Sequence, residues 1–480
     1  MELKGRKVTV VGLARSGVGA ANLLADMGAD VTVTDRQSEA RLSEMVSRLV
    51  PSVRRVLGGH PKDLFMSAEM IVVSPGVPLE IEQIASARAA GIPVIGELEL
   101  AYQIMDKARG GGRIPFLAIT GSNGKSTTTT LLDYMLKKGG FKTLIGGNIG
   151  NALTEEILKT VRGETLNLRG NGKGCNFPQD CVVVEVSSFQ LDSIERFRPH
   201  IAAILNITPD HLDRYHSLAD YGSSKARIFE NQTEEDYIVL NADDPEIEKV
   251  ENQRLKGKVG GPNVLYFSRS RKVKGIYFRD GNIYCDMPRI SCLPEHPFIS
   301  AADIKIKGVH NLENAMAASA MALLAGCPQG AVIESLREFA GLEHRLEFVR
   351  ELDGVRYVND SKGTNVGAVM KSIESFDEPV VLIAGGRDKA GDFSELSELV
   401  ARKVKALVLI GEAAGKIKDA IGNLTDTVMA EDLKDAVTLC RSKAVNGDVV
   451  LLSPACASFD MFLDFEDRGR QFKKIVEELS

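Results

Sequence analysis

The stretch FLAITGSNGKSTTTTLLDYMLKKG, residues 116–139, decides the fold. FLAI reads as a short buried strand, TGSNGKS as a turn of small residues with one lysine, and TTTTLLDYMLKKG as the opening of a helix. A glycine-bearing turn between strand and helix leaves backbone N–H groups and the positive end of the helix dipole facing outward, where phosphate oxygens bind. Lys125 would then set a cation on β/γ oxygens, and Ser126 or Thr127 would offer a hydroxyl to Mg²⁺. Gly121, Ser122, Asn123, Gly124, Lys125, Ser126 and Thr127 form the candidate cradle. Ile119 stands where the first glycine of the usual pattern belongs, so this is a TGxxGKS variant. A helix cap that binds no phosphate is the other reading.

Outward from this stretch, VTVVG (8–12), DVTVTD (30–35), MIVVSPG (70–76), CVVVEVS (181–187) and AAILNIT (202–208) are further short runs rich in Val and Ile, separated by helical patterns. Near-continuous apolar strands alternating with helices predict parallel sheets covered on both faces, the α/β class. Residues 263–292 change texture, and their short strands meeting at a DG turn predict an antiparallel patch. A helix returns at NLENAMAASAMALLAG, and from 355 the strands VRYVND, PVVLIAGG, ALVLIG and DVVLLSP restart the alternation. Boundaries at Gly110, Gly111 and Gly112 and near Gly341 divide the chain into domains 1–108, 109–341 and 342–480. LNLRGNGKGCNFPQD (166–180) reads as a polar surface loop.

The chain's 480 residues suit two to four domains. Lys+Arg 59 against Asp+Glu 65, a net charge of −6, disfavours a nucleic-acid or anionic-membrane partner. Seven cysteines, an odd number with no CxxC pair, point to a reduced compartment. With no signal-type segment and no 18-residue apolar run, the expected location is the cytoplasm.

GLARSG (12–17) follows the first strand and Asp35 ends the second, a geometry suited to a diphosphate with a ribose hydroxyl on the acid. Ala14 occupies the position that a dinucleotide fingerprint keeps as glycine, which leaves NAD, another nucleotide diphosphate or a structural turn as readings. Glu185 ends the strand CVVVE, as an exposed acid or as a hard oxygen ligand for Mg²⁺ beside the P-loop. NITPDHLDRYHS (206–217) carries Asp210, His211, Asp213 and His216 without closed-zinc spacing, so Mg²⁺-type chemistry or a satisfied loop histidine fits better. HNLEN, EHRLE, NDSKGTN, GGRDKAGDF and SPACASFD add loops of ligand-binding texture.

In order, TGSNGKSTTTT, GGNIGNAL (146–153), EVSSFQLD, NITPDHLDRY, HNLENAMAA, GLEHRLE, NDSKGTN, GGRDKAGDF and LLSPACASFD resemble the Mur ligases of peptidoglycan precursor synthesis, across essentially the whole chain. EVSSFQLD and DSKGTN resemble the branch that adds D-glutamate. The stretch 163–180 departs by its length. The resemblance implies three domains: an N-terminal Rossmann-like UDP-sugar domain, a central P-loop domain with a parallel or mixed sheet, and a C-terminal Rossmann-like amino-acid domain. It implies a cytoplasmic monomer that uses ATP and Mg²⁺ to join D-glutamate to UDP-N-acetylmuramoyl-L-alanine through an acyl phosphate. The roles it implies are catalytic for Lys125, His211 and Lys225, and Mg²⁺ ligation for Ser126, Glu185, His211 and a carbamylated Lys225. Asn311, Asn314, Arg345, Asp360 and Lys362 would face ATP. Ala14, Arg15, Ser16, Asp35, Arg36, Ser74 and Asn148 would hold the UDP-sugar, and Thr364, Lys389, Ser458 and Phe465 D-glutamate. Sibling Mur or folylpolyglutamate-type ligases and an ATP-driven switch are the rival readings.

Overall fold

The computed structural model describes residues 3–106, 114–163, 177–211, 214–254, 260–288, 296–388 and 391–479. Three sheets follow one another along the chain. The first contains β1 (Lys7–Val11), β2 (Asp30–Asp35), β3 (Arg54–Leu57), β4 (Met70–Val73) and β5 (Val94–Gly96), in the order 3-2-1-4-5 and wholly parallel. The second contains β6 (Phe116–Thr120), β7 (Thr143–Gly147), β8 (Cys181–Glu185), β9 (Ile201–Ile204), β10 (Tyr237–Asn241), β11 (Asn263–Ser268), β12 (Gly275–Arg279), β13 (Asn282–Asp286) and β14 (Ile299–Ser300). Its order is 14-13-12-11-10-9-6-8-7, which places the P-loop strand β6 between β9 and β8. The third contains β15 (Glu347–Leu352), β16 (Val355–Asn359), β17 (Val380–Gly385), β18 (Val404–Ile410), β19 (Asp426–Met429) and β20 (Val449–Leu452), in the order 15-16-20-17-18-19. Only β15 and β16 pair antiparallel there.

The α/β class follows from strands buried along their whole length, such as Phe116–Thr120 and Cys181–Glu185, which need helices on both faces. Two local expectations are corrected. The patch at 263–292 is antiparallel only at β12/β13 and β13/β14, whereas β11 and β12 pair in parallel. Only the last three residues of β11 meet the first three of β12, so the short link between them returns over just ~7 Å at ~3.3 Å per residue. Gly275 permits this: a Cβ there would lie 1.8 Å from the Tyr266 carbonyl oxygen. In the supposed polar loop, Phe177 is buried in the core; Gly110 to Gly112 and most of that loop lie outside the described residues.

The first and second sheets share one apolar core. Leu98, Ala101, Tyr102 and Met105 of the helix Glu97–Asp106 pack with Phe116, Ile157 and Phe197 of the second domain. Tyr102, Phe116 and Phe197 meet edge to face with centroids 5.3, 5.5 and 5.9 Å apart. Buried Glu97 accepts from the Thr154 N–H (2.7 Å) and hydroxyl (2.8 Å). Buried Glu99 accepts from the N–H groups of Glu195 (2.9 Å), Arg196 (3.0 Å) and Phe197 (2.9 Å). The third sheet has its own cores. It meets the second domain through polar groups: Asn365 donates to Asp210 (3.4 Å), the Ser375 hydroxyl meets His310 Nδ1 (3.3 Å), and Lys371 lies 3.8 Å from Glu313.

Candidate functional site

The P-loop follows β6. Gly124 takes φ +84°, caps the helix Lys125–Lys138, and could not carry a Cβ, which would fall 2.2 Å from Asn314 Oδ1. The loop is pinned from β9: Ser122 N–H donates to the Asn206 carbonyl (2.9 Å), Asn123 N–H to Asn206 Oδ1 (2.8 Å), and the Ser122 hydroxyl to the Thr208 carbonyl (2.9 Å). Asn206 and Thr208 are therefore organisers; the sequence reading places both within NITPDHLDRY but gives them no role.

Lys125 Nζ donates to the carbonyls of Gly121 (2.7 Å) and Ser122 (2.8 Å), and Lys225 Nζ to the same Gly121 carbonyl (2.9 Å). Burial pushes both ammonium groups below the usual lysine range, and the like charge of Lys125 lowers Lys225 further. Lys225 also lies 4.2 Å from the centre of the Tyr221 ring. From the third domain come Arg345, whose buried Nε has no hydrogen-bond partner, and Lys362; burial lowers both. Asp360 is buried beneath them, accepting from the hydroxyls of Ser372 (2.6 Å) and Ser453 (2.7 Å), and burial raises its pKa. Four cations gathered at a P-loop, with the Arg345 Nε donor left unsatisfied, make a site for a polyanion.

Glu185 accepts from Asn148 Nδ2 on Oε1 (2.9 Å), while its buried Oε2 has no hydrogen-bond partner. An orphaned carboxylate oxygen beside a P-loop suits a hard cation, as does the neighbouring buried Ser126. Among the described residues, no cluster of three or more His, Cys, Asp or Glu is placed to chelate a metal alone. A cation here would complete its shell from phosphate oxygens and water, which is the habit of Mg²⁺. His211, at φ +56°, has its ring 4.8 Å from Phe189 and lines the cleft between second and third domains with Asp210, Thr364 and Asn365. Asp213 lies outside the described residues, and His216 is exposed.

Asn311 lines a pocket whose apolar part is Ile306, Leu342, Phe348 and Phe376 and whose rim carries Lys305, Lys307, Arg345 and Arg356, a setting for a base with its phosphates. Asn314 turns instead to the P-loop, accepting from Thr128 (3.2 Å). Thr364 is in the cleft with His211, but Phe465 faces Lys362, whose Nζ is 4.7 Å from its ring centre, and Ser458 is buried at a turn. Lys389 lies outside the described residues. Arg468, missed in the sequence, is fully buried and ties the two C-terminal loops together by donating to Ser361 Oγ (2.9 Å), the Ser361 carbonyl (2.8 Å) and the Cys456 carbonyl (3.3 Å).

In the first domain, Ala14, Arg15, Ser16, Asp35, Arg36, Ser74 and Asn148 line one pocket, joined by His60. Gly12 and Gly17 make the turn possible, since a Cβ on Gly17 would sit 1.9 Å from the Gly12 carbonyl oxygen. Asp35 accepts from the backbone N–H groups of Leu13 (2.7 Å) and Gln37 (2.8 Å), so its carboxylate braces the turn. Asn148 belongs to this pocket and also holds Glu185, linking nucleotide pocket to P-loop.

A nucleotide pocket on a parallel sheet, a P-loop domain fused to it and a third α/β domain closing a charged cleft define a P-loop enzyme of the ligase type. The chain belongs to the Mur ligase family. The N-terminal domain model of its MurD-like members matches residues 6–96, the Mur ligase middle domain 119–322, and the glutamate ligase domain 344–456. The chain is 46% identical over 480 residues to a UDP-N-acetylmuramoylalanine–D-glutamate ligase of Geotalea uraniireducens, covering 100% of this chain and 99% of the relative. It is 43% identical to the same-named ligase of Koribacter versatilis, covering 100% and 99%. Among solved structures, MurF of Acinetobacter baumannii aligns with TM-score 0.60 at 16% identity over 97% of this chain and 93% of that one. The alanine ligase MurC of Thermotoga maritima aligns with 0.58 at 19% over 98% and 99%. These two show the fold alone. Members of the family are ATP-dependent, amide-forming ligases.

Proposed function

We propose that this chain joins D-glutamate to UDP-N-acetylmuramoyl-L-alanine with conversion of ATP to ADP and phosphate, in peptidoglycan precursor synthesis. The observation that carries the reading is the meeting of Lys125, buried Lys225, Arg345 and Lys362 over a P-loop, which Asn148 and Glu185 link to the nucleotide pocket of the first domain. The relatives' names supply the substrates. A carboxylate is a poor acyl donor until phosphorylated; its oxygen attacks the γ-phosphorus, ADP leaves, the D-glutamate nitrogen attacks the acyl carbon, and phosphate departs as the amide forms. Lys125 and Arg345 stabilise charge on the transferring phosphoryl group, and Asn148 orients Glu185 toward it.

Ser126, Glu185 and His211 would hold Mg²⁺, which supplies charge neutralisation at phosphate oxygens. Burial keeps the Lys225 amine closer to its neutral form, the form that adds carbon dioxide, which supports carbamylation there. Thr364, Lys389, Ser458 and Phe465 would receive D-glutamate from the third domain. Dependence on ATP and the buried thiols of Cys181, Cys327, Cys440 and Cys456, none of them in a disulfide, support a cytoplasmic location. No described helix is long and apolar enough to cross a membrane.

The test is phosphate release from ATP across a panel of amino acids with UDP-N-acetylmuramoyl-L-alanine present. Release that needs D-glutamate supports the proposal. Release indifferent to any amino acid would point to an ATP-driven switch, and release driven by another acceptor to a sibling ligase.

A further inference from the structure

The order of strands in the first sheet lays out the nucleotide pocket. The turn after β1 faces the diphosphate position, with Ser74 after β4 and Asn148 on the side that leads to the P-loop. On the opposite side come β2, with Asp35 and Arg36, and then the edge strand β3, which is followed by His60. A nucleotide sugar whose reacting carboxylate points to Lys125 therefore places its base at the His60 end.

The protonation of His60 can be worked out from its neighbours. Thr34 Oγ1 lies 2.9 Å from the Gly59 carbonyl oxygen and 3.1 Å from His60 Nδ1. A carbonyl only accepts, so the single hydroxyl proton goes to Gly59, and the hydroxyl meets Nδ1 as an acceptor. Nδ1 carries the hydrogen, which leaves Nε2 with a bare lone pair on a residue that lines the pocket. Thr34 is fully buried and the His60 ring packs at 80° on Phe65, so neither partner is free to reorient. Burial lowers the His60 pKa, with Asp35 opposing and Arg36 assisting, which favours the neutral ring at neutral pH.

We propose that His60 is the specificity residue for the base, accepting the N3–H of uracil on Nε2 while Thr34 locks the imidazole in the Nδ1–H tautomer. Uracil presents a donor at N3 and cytosine an acceptor, so cytosine would set one lone pair against another. This deepens, and rests on, the assignment of a uridine nucleotide to the first domain.

The experiment titrates UDP and CDP calorimetrically into the full chain and into His60→Phe and Thr34→Val. The wild type should prefer UDP by about tenfold or more, and each variant should bring the ratio within about threefold, with ADP affinity unchanged as the check on folding. Nitrogen NMR of labelled histidine should show His60 as the Nδ1–H tautomer. Variants that keep the full UDP preference, or an Nε2–H tautomer in the wild type, overturn the role of His60. A wild type that binds neither nucleotide overturns the uridine assignment itself, and the His60 proposal with it.

Discussion

The two joints between domains are built from opposite materials. The first is a continuous apolar core, sealed by two buried carboxylates that accept backbone N–H groups from the neighbouring domain. The second is a charged cleft bridged by long polar contacts at 3.3 to 3.8 Å. Apolar interfaces sealed by satisfied polar groups open as a unit with the core, whereas small polar interfaces permit relative motion. Under the proposed function, the first two domains would act as one fixed body that holds ATP and the nucleotide substrate in register, and the third would be the part that moves to bring the amine within the ~3–3.5 Å that attack requires.

Lys125 belongs to the fixed body, and Lys125→Ala should cut turnover by about 10²-fold, near 3 kcal/mol of transition-state stabilisation. Its thermal unfolding should stay close to wild type; near-normal turnover in a rate assay would remove the P-loop from the mechanism. Glu99→Ala tests the fixed joint, because it removes the acceptor of three N–H donors and orphans the buried one of Phe197 at ~1–3 kcal/mol. A drop in melting temperature of several degrees is expected, and an unchanged one would mean that the joint is not sealed as described.

The mobile joint should respond to acid. His310, bonded to Ser375 across it, is held at a pKa of about 3 by burial, with Arg345 and Lys371 adding like charge. Because the folded value lies below the unfolded one near 6.5, this histidine's contribution is complete above pH 6.5 and is lost as pH falls toward 3, by at most ~1.4 kcal/mol per pH unit. His310→Gln should flatten the pH dependence of stability between pH 6.5 and 4. Unchanged dependence would place the acid sensitivity elsewhere. The smallest effect belongs to Lys371→Ala, whose half-exposed pair with Glu313 is worth ~0–1 kcal/mol in denaturant melts.

Local chemistry was legible in the sequence, and long-range bracing was not. The Val- and Ile-rich strands and the TGSNGKS turn announce themselves because their pattern is contiguous. Glu97 with Thr154 and Glu99 with Phe197 are separated by 57 and 98 residues, and no local pattern pairs them. Asp35 read as a ribose acceptor because it ends β2, yet its oxygens brace the turn, a role visible only once Leu13 and Gln37 are placed. β11 and β12 fall within a patch that reads as antiparallel because its short strands meet at a DG turn; the offset register lets these two run parallel instead.

The division between fixed body and moving domain is tested most directly by Lys389→Ala in steady-state kinetics, varying each substrate in turn. Losing one charge-assisted contact to the amino acid, ~1.5–3 kcal/mol, should raise the KM for D-glutamate by about 10- to 100-fold and leave the KM for ATP within about twofold. A variant that loses ATP affinity and keeps its D-glutamate KM would contradict the account.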